Sequence, residues 1–411
     1  MKKRIAAVAL SLFAPTTLAA APTAEEMWAV IQQQQAEIAN LKAQLATTDE
    51  EIRETAIMAE ATAVMVEETV INRTGSMAEH WTERTTIGSY GEMHYNNLDE
   101  ENDVGSNKKE IDFHRFVVYL GHEFSERTRM FSELELEHSL SGEGKNGEVE
   151  LEQAYIEHDI TDSMSFRAGL FLVPVGILNQ THEPNTFYGV ERNNVEKNII
   201  PTTWWEGGVA LKGEFAPGWA YETAVASGLK LDAADGEYKI RDGRQKVSEA
   251  DANDLSYTAN LKYTGLAGLE VGATLQYQSD LYQGDYTDSV DALLYTAHVA
   301  YRNGPFGLRV LGARWDIDDS INQIKQGADD QEGWYIEPSW EFTRSIGVFA
   351  RYSEWDNLAG DNGSSDISEW DMGLNYWLDE TVVFKVDYQI QDAPEDMKEY
   401  TGFNLGVGWS F

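Results

Sequence analysis

The amino-acid sequence predicts an all-β fold, a 16-stranded antiparallel transmembrane β-barrel with a short N-terminal α-helical coiled coil. First, residues from Thr85 onward alternate between apolar and polar with a period of two. Second, no run of about 18 apolar residues follows residue 21, so any membrane-spanning part of the mature chain has to be a closed barrel. Third, short and long connections between the predicted strands alternate, as in outer-membrane barrels.

Residues 1–21 are typical of a secretory signal peptide. Lys2, Lys3 and Arg4 form a basic region, residues 5–14 an apolar run, and residues 18–21 offer small side chains for cleavage. The apolar run of ten residues is too short to span a bilayer as a helix. The alternative, a buried helix, agrees less well with the charge order and the alanines, so we expect export.

The charge and cysteine content exclude several classes of protein. The chain has 411 residues, with 70 acidic and 31 basic side chains and a net charge of −39. A nucleic-acid-binding protein needs clustered Lys and Arg, so no nucleic-acid partner is expected. Because the chain has no cysteine, neither a disulfide framework nor a zinc–thiolate site can form. We predict no cofactor and no metal site.

Residues 22–71 are predicted to form a periplasmic coiled coil. Residues 25–70 contain neither Gly nor Pro, and Ile31, Ile38, Leu45 and Ile52 recur at a spacing of seven. Isoleucine in the seam favours three strands, and the alternative is a helix that packs on its own barrel. Residues 72–84 form a linker, and the barrel domain covers residues 85–411.

The last predicted strand shows the alternation best. Phe403, Leu405, Val407 and Trp409 point to one face, and small or polar residues occupy the other. The chain ends on Phe411, which resembles the terminal signal by which the barrel assembly machinery recognises outer-membrane barrels. The predicted strands are 85–97, 110–124, 129–138, 149–160, 165–173, 205–215, 219–227, 254–264, 268–279, 290–302, 305–315, 332–342, 345–355, 366–377, 381–391 and 400–411.

These strands leave seven short and eight long connections, which is the number expected when both ends of the barrel are periplasmic. The longest connection is 174–204, and loops of this length usually have a function. We expect it to fold into the lumen, with Glu191 and Arg192 near the narrowest point; the alternative is an ordinary external loop. Sixteen strands are wide enough to leave an aqueous lumen.

Strand parity predicts which charged residues line that lumen. The predicted basic lining residues are Arg115, Arg167, Lys212, Lys262, Arg309, Arg351 and Lys385, and the predicted acidic wall is Glu133, Glu135, Glu137 and Glu157. If acidic and basic walls face each other, they produce a transverse field that favours small polar solutes. The alternative is that these charges form pairs that hold the barrel together, and the residues favour neither interpretation.

One segment resembles a known family. Arg167–Gly176, with the sequence RAGLFLVPVG, is followed by Asn185-Thr186-Phe187 and Glu191-Arg192, and together they look like the phosphate-selective porin O and P family. The resemblance covers most of residues 25–411. It implies a trimeric outer-membrane channel that is narrowed by the third external loop, here 174–204. It also implies phosphate specificity from a ladder of lumenal arginines, whereas parity scatters the basic residues of this chain.

The sequence therefore predicts an outer-membrane porin for passive diffusion of small polar or charged solutes, with a phosphate- or anion-selective porin as the alternative. An enzyme is less favoured because neither a nucleophile elbow nor a His-Glu-x-x-His motif occurs; an adhesin is the other alternative. The expected partners are two further copies of the chain and outer-membrane lipids. The acidic external loops either bind divalent cations that bridge lipopolysaccharide or, as we favour, are simply solvated.

Overall fold

The computed structural model describes residues 81–232, 238–318, 326–361 and 363–411, together with Trp28, Gln32 and Gln35. The chain divides into two compact units, Met1–Glu79 and His80–Phe411. In the first unit, Trp28, Gln32 and Gln35 are helical and exposed. The rest of the predicted coiled coil, the signal peptide and most of the linker lie outside the described residues. Among the described residues, no helix is both long and apolar enough to cross a membrane.

The second unit is a closed barrel of sixteen antiparallel strands, in which each strand pairs with its neighbours in the chain and β1 pairs with β16. The predicted fold class is therefore confirmed, and every predicted strand end lies within three residues of the observed one. The strands are β1 (Thr85–Glu100), β2 (Lys108–Glu123), β3 (Thr128–Glu137), β4 (Val149–Thr161), β5 (Met164–Leu172), β6 (Trp205–Ala216), β7 (Trp219–Ala226), β8 (Ser256–Tyr263), β9 (Leu269–Gln278), β10 (Ala292–Asn303), β11 (Phe306–Ile317), β12 (Asp330–Thr343), β13 (Ile346–Asp356), β14 (Ile367–Asp379), β15 (Val382–Asp392) and β16 (Tyr400–Ser410).

The barrel is apolar outside and polar inside, the reverse of a water-soluble protein. In β15 the side chains of Phe384, Val386 and Tyr388 are exposed, whereas the alternating Lys385 and Asp387 are buried. Buried charges need partners, and in a barrel only the interior can supply them. The alternation that the sequence predicts therefore corresponds to two environments, one suited to lipid and one to a polar interior.

The two ends of the barrel sequence close the ring. The backbone N–H of Phe411 donates to the carbonyl of Ser89 at 2.9 Å, and the N–H of Ser89 donates to the carbonyl of Phe411 at 3.0 Å. Two residue pairs further along, a Cβ atom on Gly91 would lie 2.6 Å from the indole ring of Trp409. The glycine is required because the indole occupies the space where a side chain would stand.

Two β-bulges change which residues face inward. The first bulge is in β2. Glu92 of β1 pairs with Arg115 of β2, but His94, two residues further along β1, pairs with Asp112, three residues away along β2. Strand β2 therefore carries one extra residue. In β4 the register passes from Gln153 directly to Leu151, which leaves Glu152 unpaired. A bulge reverses the parity of the strand beyond it, so acidic residues that simple alternation assigns to lipid lie inside.

Part of the barrel interior is filled by an apolar core. The inward side chains of β10 and β11 that contribute to it include Leu294, Leu311 and Trp315, each at most 1 % exposed. Residues of the connections 173–204, 227–255 and 279–291 pack against them, among them Val175, Val195, Ile199, Ile200, Trp204, Leu229, Tyr238, Ile240, Leu281 and Tyr282. The long connections therefore fold back and bury apolar side chains against the part of β10 and β11 nearest to them, whereas the part nearest the short turns lines a cavity of about 380 Å³.

Candidate functional site

The connection 173–204, called the crossing loop below, passes through the barrel interior. It joins β5 to β6, yet it contacts β13, which is eight strands from β5 in the ring of sixteen. The Arg351 side chain of β13 donates to the carbonyl of Tyr188 at 3.3 Å. On β15, Asp387 accepts a hydrogen bond of 2.6 Å from the backbone N–H of Val190. These contacts place Tyr188 and Val190 of the loop against inward side chains of β13 and β15.

Basic residues of the strands hold the crossing loop. Arg115 donates to the carbonyl of His182 at 2.6 Å, and Arg309 donates to the carbonyl of Thr186 at 2.7 Å. The ammonium group of Lys385 lies 3.6 Å from the centroid of the Phe187 ring. Hydrogen bonds to charged groups contribute about 1.5–3 kcal/mol each, so several such contacts fix the path of the loop.

The loop also carries its own internal bonding. The buried carboxylate of Glu196, in the short helix α1 (Val195–Asn198), accepts hydrogen bonds from the backbone N–H groups of Ile177 and Leu178 at 2.8 and 2.6 Å. It also accepts a hydrogen bond of 2.9 Å from the Tyr335 hydroxyl of β12. Sequence reasoning missed Glu196, since nothing in the local pattern distinguishes it from other loop acids.

An acidic wall lines β1 to β4. The predicted residues Glu133, Glu135 and Glu137 share the inward face of β3. Sequence reasoning missed Glu92 on the inward face of β1, and the bulges in β2 and β4 add Asp112, Glu150 and Glu152 to the inward acids. A signal for the bulge in β4 exists in the sequence, because the apolar residues shift from odd positions (Val149, Leu151) to even ones (Ala154, Ile156).

Glu157 does not join this wall, which corrects the predicted set. Its carboxylate is bonded to Arg129, lies 3.1 Å from Arg167 and lies 2.6 Å from the ammonium group of Lys212. Arg167 reaches a second acid, Glu222, at 3.1 Å. Two of the predicted lining bases therefore surround one glutamate, and the charges of this cluster largely cancel.

Four of the other five predicted strand bases are paired with acids of adjacent strands, whereas Lys385 lies over the Phe187 ring. Arg115 lies 2.6 Å from Glu92, and Lys262 lies 3.2 Å from Glu270. Arg351 lies 3.1 Å from Glu337, which is also 3.7 Å from Arg309. The strand bases thus do not form an opposing basic wall, and the alternative of charge pairs that hold the barrel describes them better.

The opposing basic groups come from the loops instead. Arg192 and Lys197 of the crossing loop, with Arg241, Arg244 and Lys246 of the connection 227–255, line a cavity of about 310 Å³ together with the acidic wall. Two guanidinium groups are fixed by carbonyl oxygens: Arg241 donates to Thr202 at 2.6 Å and Arg244 donates to Thr203 at 2.6 Å. We call these five residues the loop bases.

The two loop residues predicted at the narrowest point, Glu191 and Arg192, both line the cavities of the barrel interior. Glu191 accepts hydrogen bonds from Asn96 at 3.2 Å and contacts His94 at 3.0 Å. Arg192 donates to the Thr203 hydroxyl at 2.8 Å, and it lines both the 310 Å³ cavity and a second cavity of about 690 Å³ toward the long connections. A third cavity of about 380 Å³, lined partly by Tyr188, opens toward the short turns.

A closed ring of sixteen antiparallel strands, apolar outside and polar inside, with one long loop across its interior, is the architecture of the porin-type β-barrel. Solved structures of outer-membrane porins have the same fold. An anion-selective porin from Comamonas acidovorans matches 80% of this chain and 99% of its own at 12% identity, with a TM-score of 0.57. The outer-membrane channel DcaP of Acinetobacter baumannii matches 80% and 97% at 12% identity, with a TM-score of 0.56.

The trimer form of OmpT, an outer-membrane protein of Vibrio cholerae, matches 80% of this chain and all of its own at 12% identity, with a TM-score of 0.52. A protein of Aquifex aeolicus (strain VF5), described as uncharacterized, is 28% identical over 356 residues, which is 79% of this chain and 80% of the relative. No protein-family model matches the chain. The likenesses therefore show the fold, and membership of the phosphate-selective O and P family stays a prediction.

Proposed function

We propose that this chain is an outer-membrane porin, a water-filled channel for passive diffusion of small polar or charged solutes. The single observation that carries the proposal is the crossing loop, which is bonded to inward side chains of the barrel and lines a cavity together with the acidic wall on β1–β4. A pore discriminates by its width and by the charges that line it, and both are set at this loop.

The two faces differ in sign but are similar in number. The acids that line the cavity are Glu92, Asp112, Glu135, Glu137, Glu150 and Glu152, and the bases are the five loop bases, of which Lys246 bonds directly to Glu150. A solute between them experiences a field across the pore rather than along it, and such a field orients dipoles without strongly favouring either sign of ion. We therefore infer weak ion selectivity and free passage for small dipolar solutes.

Phosphate or anion selectivity is the second candidate. It is supported by the loop bases, by the family resemblance and by the printed name of the Comamonas porin. Against it, the strand arginines donate to carboxylates and loop carbonyls, so they are not available as a ladder for phosphate. An enzyme has less support, because the sequence carries neither a nucleophile elbow nor a His-Glu-x-x-His motif, and an adhesin is the other alternative.

The wider arrangement is part of the same proposal. We place residues 1–21 in a signal peptide, 22–71 in a periplasmic coiled coil and 72–84 in a linker. The assembly is a homotrimer in the Gram-negative outer membrane, in contact with lipopolysaccharide, and Phe411 is recognised by the barrel assembly machinery. The trimer form of the Vibrio OmpT structure and the isoleucine heptads support three copies.

The first experiment is reconstitution in a planar bilayer, with the reversal potential measured across a salt gradient, with and without phosphate. Steps in groups of three with weak selectivity and no phosphate block are expected. Strong anion selectivity with phosphate block would promote the second candidate. The absence of conductance from protein shown by circular dichroism to be folded would refute the channel and favour an enzyme or adhesin.

A further inference from the structure

The acidic wall contains a group of nitrogen and oxygen ligands that the pore function does not require. Asp112 and His114 lie on the bulged part of β2, and His138 follows the last residue of β3. The Asp112 carboxylate oxygen lies 3.3 Å from Nδ1 of His114 and 2.8 Å from Nδ1 of His138. One ligand atom from each of the three residues lies within 4.8 Å of the others.

We propose that Asp112, His114 and His138 bind a divalent first-row transition-metal ion of the Zn²⁺ class. Zinc binds imidazole nitrogen and carboxylate oxygen at about 2.0–2.2 Å, which puts the ligand atoms of a tetrahedron about 3.3 Å apart. The two separations from the Asp112 oxygen, 3.3 and 2.8 Å, are close to this value, and the two imidazole nitrogens lie within 4.8 Å of each other, so side-chain rotations can complete the site. Two nitrogen ligands out of three disfavour Ca²⁺ and Mg²⁺, which are bound by oxygen.

The surroundings hold one of these ligands in place. The ring of His94 stacks on the ring of His114, with centroids 4.7 Å apart and an angle of 15° between the planes. Both nitrogens of His94 are already engaged, one with Glu191 at 3.0 Å and the other with Glu92 at 3.1 Å. His94 is therefore a positioning residue that orients His114, in the way outer groups orient metal-binding histidines.

The backbone directs the second histidine toward the same point. His138 has a φ of 49°, a left-handed conformation that is uncommon for residues other than glycine. Its backbone N–H donates to the carbonyl of His114 at 3.1 Å, and its ring meets that of His114 edge-on at 5.9 Å. These contacts hold the imidazole next to Asp112 although the strand ends at Glu137.

An ion can reach the site from the barrel interior. The side chains of Asp112, His114 and His138 are 22%, 31% and 36% exposed, and all three line the 310 Å³ cavity. Glu110 and Glu137 line the same cavity, and a cluster of negative charge raises the local concentration of cations. Three protein ligands leave at least one coordination position for water or a solute group.

The test is equilibrium binding of Zn²⁺ to the chelator-treated, folded full-length protein in detergent, measured by titration calorimetry. One ion per chain is expected, and His114→Gln and His138→Gln should each weaken binding about tenfold or more. His122→Gln and His158→Gln are matched controls, because these histidines bond to threonines near the short turns, far from Asp112, and should leave binding unchanged.

Cu²⁺ bound to the same protein should show nitrogen hyperfine coupling by electron paramagnetic resonance, and the two variants of the site should reduce it. Circular dichroism checks that each variant is folded. If either His114→Gln or His138→Gln does not fold, metal binding by the other histidine variant and by Asp112→Asn tests the site. Absence of binding to the unmodified protein overturns the proposal. Binding that survives both histidine variants but is lost in Glu148→Gln also overturns it, because the ion would then sit in the Glu137–Glu148–Glu150 cluster. Neither outcome depends on conductance.

Discussion

The imidazole of His182 in the crossing loop lies 3.5 Å from the carboxylate of Glu152 in β4, and both side chains are at most 3% exposed. Glu152 reaches this position only because of the bulge in its strand. The same imidazole lies 3.8 Å from Glu133 and 2.9 Å from the Tyr90 hydroxyl, which ties the loop to β1, β3 and β4 at once.

High pH should break the contact between His182 and Glu152 and release residues 179–186 of the crossing loop. Burial lowers the pKa of His182, but hydrogen bonds and charge interactions with Glu133 and Glu152 outweigh it and raise the pKa to about 9. The charged His182 therefore stabilises the loop fully below about pH 6.5, the pKa of histidine in the unfolded chain, and this stabilisation is lost as the pH rises through about 9, the pKa in the folded chain. Hydrogen exchange of residues 179–186 should accelerate above that pH.

The variant His182→Gln should remove this pH dependence and leave the exchange fast at every pH. It leaves two buried carboxylates without their cation, which costs roughly 3–5 kcal/mol of local stability. His158→Gln, on the outer face near a short turn, is the control and should behave like the unmodified protein. An unchanged exchange profile in His182→Gln would refute the role of this contact.

Arg351 should be the main anchor of the part of the crossing loop around Tyr188. It bonds Glu337, Asp371 and the carbonyl of Tyr188, and its side chain is 3% exposed. In Arg351→Ala, two buried acids lose their partner, and the loop should move away from β13. Single-channel conductance should rise and become noisier.

The control for this variant is Arg302→Ala. Arg302 also pairs with a glutamate, Glu341, but it is 65% exposed and makes no described contact with the crossing loop. Surface ion pairs contribute about 0–1 kcal/mol, so its conductance should match that of the unmodified channel. Equal effects of the two variants on single-channel conductance would contradict the role of Arg351 as an anchor of the loop.

The outward face of β15 should tolerate apolar but not charged side chains. Val386 is 40% exposed between Phe384 and Tyr388 on that face. Val386→Arg should lower the free energy of unfolding in lipid by about 2–4 kcal/mol if the residue lies near the bilayer midplane. Reversible unfolding in vesicles measures this, and Leu140→Arg, at an exposed apolar residue outside the strands, should change it by no more than about 0.5 kcal/mol.

The strands could be predicted because a barrel imposes period-two alternation on nearly every residue between Thr85 and Ser410. The inward position of Glu133, Glu135 and Arg351 follows from the same rule. The rule fails where a bulge intervenes: strict alternation from Glu157 puts Glu150 and Glu152 on the outer face of β4, whereas the bulge turns both inward.

The loops were harder to predict for a different reason. The length of 174–204 indicates a functional loop, but its path depends on partners distant in sequence, such as Asp387 for Val190. The apolar core around Trp204 and Trp315 has no local signal either, because a tryptophan near a strand end is equally typical of the outward-facing aromatic girdle at the membrane interface. Local patterns fix the wall of this barrel, whereas long-range contacts determine what fills it.

The position of the basic wall on loops rather than strands gives the sharpest test of selectivity. Arg192→Gln combined with Arg244→Gln removes two positive charges that face the acidic wall, so the reversal potential should shift toward cations. Glu135→Gln combined with Glu150→Gln removes two negative charges from the other face and should shift it toward anions. Lys109→Gln, 51% exposed and paired with Asp99 near the outer end of β2, is the control. The contrary outcome is a larger shift of the reversal potential in Lys212→Gln and Lys262→Gln than in the loop variants. It would mean that the strand bases determine the ion selectivity, and that their pairing with Glu157 and Glu270 does not screen them from passing ions.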